Sequence, residues 1–393
     1  MSNSFTLTTE EHQKLCDIRH DLHAHPELGY EETRTSEVIQ RELAEAGIEF
    51  RNDLAGGTGV LAWLPGANED DAIALRADID ALPMDEISGV PWTSRHPGRM
   101  HACGHDGHTT ILIGAARALA AHGSLPRPVM FIFQPAEEGG AGGEKMVQEG
   151  CLDGTIAPWK ARRIFGLHGW PYITEGVVGT RRGPLLAAAD RYVIDVQGTG
   201  AHAAMPHSSA DPVLAAAAIV TALQGIVARN IDPLDAAVVS ATTINAGSAF
   251  NVIPQDARIT GTARSLSPEV RDTIERRVIE VAEHIARAHG CTAKVDYMRG
   301  YPVTVNHSDA VDVFEEIASR EVGEDRLVEV DRPFMGGEDF AFYGQVIPAC
   351  FFLLGLLPPG ETEMPALHHP AFDFNDNVIE TGVGMFRRLA LGN

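Results

Sequence analysis

The sequence predicts an α/β protein with a smaller α+β unit inserted into it. Three observations lead to this prediction. Short continuous apolar runs, typical of strands buried on both faces, occur before residue 170 and again after residue 350. Segments with helical spacing separate these runs. Between Arg191 and Met298 the pattern changes to strand-helix-strand-strand-helix-strand, which is the order of a ferredoxin-like unit.

The elements of the outer part follow from spacing and from residues that end helices. A helix is predicted around Arg19–Ala24, ending at Pro26, and a second from Thr33 to Ala46, ending at Gly47. The remaining predicted elements are strands at Ile73–Leu75, Val129–Phe133, Ile164–Leu167 and Phe351–Leu354, and helices at Thr110–Ala121, Asp309–Val322 and Val378–Leu391.

The inserted part contains helix-start signals at Asp211-Pro212 and Ser267-Pro268, with Gly290 ending the second helix. Its predicted strands are Tyr192–Val196, Val238–Ile244, Ala257–Ala263 and Ala293–Tyr297. We therefore divide the chain into an outer domain, residues 1–186 and 302–393, and an inserted domain, residues 187–301.

Composition limits the function classes. A chain of 393 residues with 44% apolar residues can build two domains of about 150 residues or more. A net charge of −23 argues against nucleic acid or an anionic membrane as partner. Met1–Glu10 is polar, and no apolar run approaches the ~20 residues of a membrane span. The five cysteines are scattered and odd in number, which favours a reducing, cytoplasmic location.

Polar side chains with metal-binding chemistry follow three of the predicted strands. Asp78 and Asp80 follow the first strand, Glu137 and Glu138 follow the second, and His168 follows the third. Because ligands of open α/β sheets bind at the carboxyl ends of strands, we expect these side chains at one edge.

The segment from His101 to His108 adds a dense cluster of candidate ligands. The Cys103-x-His105 spacing predicts a turn or extended segment, because these positions diverge on a helix. Thiolate and imidazole ligands suit a borderline-soft divalent metal. The alternative is a Cys103 nucleophile with His105 as its base, which leaves the two glutamates without a role.

Adjacent acids in an extended loop point apart, so one can bind metal while the other takes a proton from water. Glu137 and Glu138 have this arrangement, and the glycine-rich stretch 139–143 allows close approach of the backbone to a bound group. By contrast, His23-Ala-His25 lies at a helix end and is interpreted as structural.

Together these residues resemble the co-catalytic metallopeptidase family of aminoacylases and hippurate hydrolases, with relatives among plant auxin–amino acid conjugate hydrolases and carboxypeptidase G. The similar stretches, in the family's order, are Arg76–Pro83, His101–His108, Phe133–Gly139, Gly166–His168, Gly200–His207, Phe250–Pro254, Gly336–Phe340 and His368–Pro370.

The resemblance implies a Zn-peptidase-like catalytic domain with a mixed, largely parallel sheet, and an inserted ferredoxin-like lid or dimerisation domain. It also implies two divalent metal ions, Zn²⁺ or Mn²⁺, and a homodimer. The implied ligands are Cys103, His105, Glu138, His168 and His368. Glu137 corresponds to the general base acting on a water that bridges the ions, and Asp80 to an acid that orients a ligand. His202 corresponds to an oxyanion-stabilising residue that reaches a site across the dimer. Asn251 and Arg264 correspond to contacts with the substrate's carboxylate.

The expected activity is hydrolysis of the amide bond in small N-acyl-L-amino acids. The residues leave the acyl group open among benzoyl, acetyl, indoleacetyl and longer chains. Two alternatives remain at this point. One is a dipeptidase or carboxypeptidase of the same superfamily, and the other is a catalytically silent protein that binds acyl peptides.

Overall fold

The computed structural model describes residues 5–68 and 71–392, so the start of the polar N-terminal segment lies outside the described residues. The strands in chain order are β1 (Glu49–Leu54), β2 (Gly59–Leu64), β3 (Ala72–Asp78), β4 (Val129–Gln134), β5 (Ala161–Thr174), β6 (Val178–Thr180), β7 (Gly183–Leu186), β8 (Ala188–Gln197), β9 (Ala201–His202), β10 (Ala237–Ala246), β11 (Val252–Ile253), β12 (Asp256–Ser265), β13 (Thr292–Arg299), β14 (Thr304–Asn306), β15 (Leu327–Glu329) and β16 (Ala349–Leu357).

The helices in chain order are α1 (Thr9–Ala24), α2 (Thr33–Glu45), α3 (His105–His122), α4 (Gly142–Gln148), α5 (Pro212–Asn230), α6 (Pro268–Ala288), α7 (Ser308–Glu321), α8 (Ala341–Gly344) and α9 (Ile379–Leu391).

The chain forms two compact units. The first runs up to Leu185, takes up Val305–Arg332 and resumes at Asp339, while the second comprises Leu186–Thr304 and Pro333–Glu338. The sequence placed residues 333–338 in the outer domain, and the structure places them in the second unit. The reason is backbone pairing, since the N–H of Ala187 donates to the carbonyl of Gly336 (2.8 Å).

The first unit is built on an eight-stranded sheet of order β1-β2-β4-β3-β5-β16-β6-β15. Its central strands β4, β3, β5 and β16 pair in parallel, whereas β1, β2 and β4 pair antiparallel. Strands β3 and β4 are buried at every position, which explains their nearly continuous apolar sequences. The predicted mixed α/β sheet is confirmed.

Two helices begin earlier than the sequence predicts. Helix α1 starts at Thr9, because Thr8 and Glu11 form a capping box that stabilises its polar first turn. Helix α3 starts at His105, directly after Gly104, whose φ of 87° suits glycine. The Cys103-x-His105 pair therefore lies half in a turn and half in the first helical turn.

The second unit contains a four-stranded antiparallel sheet of order β10-β12-β8-β13, the strand order expected of a ferredoxin-like unit. Residues of β12 alternate between buried and more exposed positions, because one side of the sheet packs in the core with α5 and α6. The short strands β9 and β11 form a separate two-stranded sheet, which the sequence did not predict.

Helix α5 is apolar along most of its length. Among the described residues it is the helix that is long and apolar enough to cross a membrane by length and composition alone, with a mean hydropathy of 1.6 over an 18-residue window of its 19 residues. A single such helix is weak evidence for a membrane span, because helices in the core of a protein have a similar composition. Its face of Pro212, Ala215, Ala216, Ile219, Leu223 and Ile226 is buried in the second unit.

Candidate metal centre

The candidate ligands of the first unit come from four places in the fold. Cys103 and His105 flank the start of α3, and Glu138 follows β4. His168 lies within β5, where it is paired with Leu353 of β16. His368 lies in the loop before α9, with its backbone N–H bonded to the carbonyl of Ala102 (2.8 Å).

The side chains of the five predicted ligands converge. Sγ of Cys103 lies 3.4 Å from Nε2 of His168 and 3.3 Å from Nε2 of His368. Nε2 of His368 lies 3.1 Å from Oε1 of Glu138. Three overlapping triads have ligand atoms within 4.8 Å of one another, namely Cys103–His105–His168, Cys103–Glu138–His368 and His105–Glu137–Glu138.

Hydrogen bonds fix which nitrogen of each buried histidine faces the site. Nδ1 of His105 lies 2.9 Å from the carbonyl oxygen of Asp80, and Nδ1 of His168 lies 2.8 Å from that of Gly169. A carbonyl oxygen only accepts, so each Nδ1 carries a proton and Nε2 is the nitrogen of each ring that faces the site. Nε2 of His105 is buried without a hydrogen-bond partner, which suits an atom that binds a cation.

Asp80 contacts both halves of the site. Besides its carbonyl bond to His105, its Oδ2 accepts the backbone N–H of Glu138 (2.9 Å). It thereby orients one predicted ligand by its ring and another by its backbone, as outer carboxylates do in metal sites. Glu137 is 7% exposed and lies in a triad with His105 and Glu138.

Burial and neighbouring charges set the ionisation of these groups. Burial, with the carboxylates of Glu138 and Glu137, raises the pKa of the Cys103 thiol well above its ordinary value. Against the desolvation that would lower it, Asp78 and Asp80 raise the pKa of His105 to about 10. Without a metal both groups hold protons, so binding of a cation must release them.

Two residues outside the five predicted ligands support the centre. His108 lies with Nδ1 2.7 Å from Asp78 and accepts the backbone N–H of Gly169 at Nε2 (2.8 Å). Arg76, fully buried, donates to Asp78 (2.7 Å) and Asp339 (2.9 Å). An arginine inside an apolar strand was the available signal, because a buried guanidinium requires anionic partners.

Three predicted site residues lie in the second unit. His202 is exposed on β9, and its Nδ1 accepts the N–H of Ala204 (3.1 Å), which leaves the proton of the neutral ring on Nε2. The carbonyl of Asn251 accepts the N–H of Ala203 (3.0 Å), so the backbone of Asn251 lies next to the residue that follows His202. Arg264 on β12 donates to Oγ1 of Thr262 (2.5 Å), within its own strand.

The other motif histidines have different surroundings. His369 is exposed, and its Nδ1 accepts the N–H of Ala371 (3.1 Å), so His368 is the one of the pair that reaches the cluster. His23 is buried, with Nδ1 2.9 Å from Asp106 and Nε2 3.1 Å from Glu86.

Similar proteins cover nearly the whole chain. The N-acetyl-L-cysteine deacetylase of Bacillus subtilis (strain 168) is 42% identical over 380 residues, which is 96% of this chain and 87% of that protein. The hippurate hydrolase of Campylobacter jejuni is 37% identical over 374 residues, covering 95% of each chain. The crystal structure of the Bacillus subtilis YXEP protein, described as a dinuclear metal binding peptidase from the M20 family, has a TM-score of 0.85 and 36% identity, covering 98% of each chain.

The fold and these relatives define the class of the chain, which is a metal-dependent amidohydrolase. The profile of Peptidase family M20/M25/M40 matches residues 74–392, and the chain belongs to this family. The resemblance seen in the sequence is thereby confirmed.

Proposed function

We propose that the chain hydrolyses the amide bond of N-acyl-L-amino acids. The observation that carries the proposal is the convergence of ligand atoms from Cys103, Glu138 and His368 beside the carboxylate of Glu137. The names of the deacetylase and hippurate hydrolase relatives support a small N-acyl amino acid as substrate.

We propose that two divalent ions, Zn²⁺ or Mn²⁺, bind to Cys103, His105, Glu138, His168 and His368. The overlapping triads that share Cys103, and the unpartnered Nε2 of His105, fit this group of ions. Thiolate and imidazole favour Zn²⁺, and carboxylate accommodates Mn²⁺ as well. When bound, the ions polarise the scissile carbonyl and lower the pKa of the attacking water.

In the proposed mechanism, the residues of the chain move the protons and hold the charge. Glu137 takes the proton of the attacking water and returns it to the leaving amine. Asp80 keeps His105 and Glu138 in place. The Nε2–H of His202 donates to the developing oxyanion, and Asn251 and Arg264 hold the substrate's carboxylate.

We further propose that the protein is a homodimer that assembles through the second unit and acts in the cytoplasm. Strand β10 is an edge strand whose last five residues are exposed, and Ile244 within it is 50% exposed. Leu214 of α5 is 58% exposed and Phe250 is 99% exposed. An unpaired strand edge with apolar neighbours supports pairing with a second copy. The five free, buried cysteines support a reducing location.

The first experiment measures release of free amino acid from N-acetylcysteine, hippurate and an indoleacetyl amino acid. Metal-stripped protein is assayed with no metal, with Zn²⁺ and with Mn²⁺. We expect release only after an ion is returned, and the panel ranks the acyl groups. Cleavage of dipeptides alone would point to a peptidase, and bound metal without any cleavage would point to a silent binding protein.

A further inference from the structure

A loop that carries Glu137 packs closely against a segment near the N-terminus. We call residues 135–142 the base loop and residues 27–32 the bracing segment. A Cβ atom at Gly29 would lie 3.1 Å from both Cα and Cβ of Ala136, and one at Gly140 would lie 2.9 Å from Cε2 of Tyr30. The Tyr30 hydroxyl donates to the carbonyl of Gly140. The two backbones therefore approach as closely as glycine permits.

Glu32 makes the most specific contact between the two segments. Its side chain is fully buried, and its Oε1 accepts the backbone N–H of Ala136 (2.9 Å). Its Oε2 accepts the hydroxyl of Thr58 (2.7 Å), which also is buried. Two hydrogen bonds at the two oxygens fix the position of the carboxyl group, and this group holds the Pro135–Ala136 peptide, one residue before Glu137.

The backbone of the base loop requires such support. Ala136 has a φ of 54° and Ala141 has a φ of 54°, in the left-handed region that residues with a Cβ rarely adopt. A conformation of this kind persists only where surrounding contacts hold it. The residue that precedes Glu137 is therefore strained, and its N–H is held by Glu32.

The opposite side of Glu137 is held in the same manner. The N–H of Glu138 donates to Oδ2 of Asp80 (2.9 Å), so buried carboxylates accept the backbone N–H groups on both sides of Glu137. Asp80 also contacts the predicted ligand His105, whereas the carboxyl group of Glu32 bonds to Thr58 and Ala136. The two carboxylates thus act on the same loop from different elements.

We propose that Glu32 is a positioning residue that holds the Ala136 peptide and thereby aims the carboxylate of Glu137 at the attacking water. The inference rests on the proposed function, in which Glu137 is the general base. A general base must lie within hydrogen-bond reach of the proton that it takes, and displacement by about 1 Å can lower turnover about 100-fold.

The shape of the Glu32 side chain matters for this role, and its charge does not. Burial raises the pKa of Glu32 to about 7, so the neutral form is readily accessible. In that form one oxygen still accepts the Ala136 N–H, and the new O–H donates to Oγ1 of Thr58. Glutamine reproduces both contacts, because its carbonyl accepts and its NH₂ group donates. Aspartate keeps the charge but is too short to reach both partners.

The test compares Glu32→Gln, Glu32→Asp and Thr58→Val with the wild-type holoenzyme. We expect kcat to fall about 10- to 100-fold in Glu32→Asp and about 3- to 10-fold in Thr58→Val, with KM and metal stoichiometry nearly unchanged. Glu32→Gln is expected to keep kcat within about threefold of the wild-type value. Thr58→Val supplies the result if Glu32→Asp folds poorly. Glu31→Ala is the matched control, since the adjacent Glu31 side chain is 57% exposed and pairs with Arg99.

A second readout does not depend on turnover. Hydrogen exchange of the base loop, measured by mass spectrometry, is expected to speed up in Glu32→Asp and to stay slow in Glu32→Gln. The proposal is overturned if Glu32→Asp and Thr58→Val keep wild-type kcat and loop protection, or if Glu32→Gln loses as much as Glu32→Asp. Failure of the proposed function is a separate outcome, in which Glu137→Gln stays active or no substrate is cleaved.

Discussion

Adjacent carboxylates at positions 137 and 138 have different surroundings in the structure. Oε1 of Glu138 lies 3.1 Å from Nε2 of His368, and its backbone is bonded to Asp80. Against the desolvation that would raise it, His368 and His105 lower the pKa of Glu138, so it is ionised as a ligand must be. Glu137 lies beside the same centre but is not one of the predicted ligands.

Substitution of the two acids separates their roles. Glu137→Gln is expected to lower kcat by about 100- to 10,000-fold while metal content stays the same, because only the proton acceptor is removed. Glu138→Gln is the matched variant and is expected to lose metal and activity together. Metal analysis and steady-state kinetics on both proteins measure this difference. A Glu137→Gln enzyme with near-wild-type turnover would contradict the assignment.

Helices α1 and α3 are joined by buried charges behind the candidate metal centre. Arg19 of α1 donates to Asp106 of α3 (3.1 Å), and His23 of α1 lies 2.9 Å from the same carboxylate. His23 also lies 3.1 Å from Glu86. Breaking such a buried ionic cluster is costly, because the remaining charges lose their partners. The cluster therefore fixes the start of α3, where Cys103 and His105 lie.

The His23 contacts predict a pH dependence of stability. Against the desolvation that would lower it, Asp106 and Glu86 raise the pKa of His23 to about 9, above its unfolded value of 6.5. The contribution of protonated His23 is therefore complete below about pH 6.5 and is lost as pH rises through about 9. His23→Asn should lower the free energy of unfolding by roughly 1–3 kcal/mol at pH 6 and by less above pH 9.

Denaturant unfolding of the wild type and the variant across pH 5.5–10 would measure this difference. The titrations of all groups that the two proteins share cancel in the difference between their free energies of unfolding. His284→Asn, on the exposed side of α6, is the matched surface variant. A difference that stays constant with pH would show that folding does not shift the pKa of His23, and a difference that grows as pH rises through about 6.5 would show that His23 is neutral in the folded protein.

At the scale of the whole molecule, the second unit of this acidic protein exposes several apolar side chains. The chain has a net charge of −23, which favours solubility. Apolar side chains of α5, of β10 and of the residues around β11 are nevertheless exposed in the second unit. In the predicted homodimer, a second copy of the chain covers these exposed apolar groups.

The double variant Leu214→Arg/Ile244→Arg is expected to convert the proposed dimer into a monomer, because buried like charges at a two-fold interface repel. Light scattering after size exclusion measures the mass, which should fall from twice that of one chain. Val346→Arg is the control, since Val346 is 56% exposed in the first unit. If His202 acts across the dimer, kcat of the double variant should fall together with its mass. A wild-type protein that has the mass of one chain would contradict the proposed homodimer.

The sequence by itself determined the class of fold, because period and apolar runs encode which faces of strands and helices are buried. It also determined the candidate ligand after β4, since its position follows from where that strand ends, whereas His168, predicted to follow its strand, lies inside β5, which continues to Thr174. It missed the supporting contacts of Arg76, His108 and Glu32. Each depends on partners far along the chain, such as Asp339 for Arg76 and Ala136 for Glu32. Only the tertiary structure decides which buried charge meets which backbone group, because local pattern records burial and not the identity of the partner.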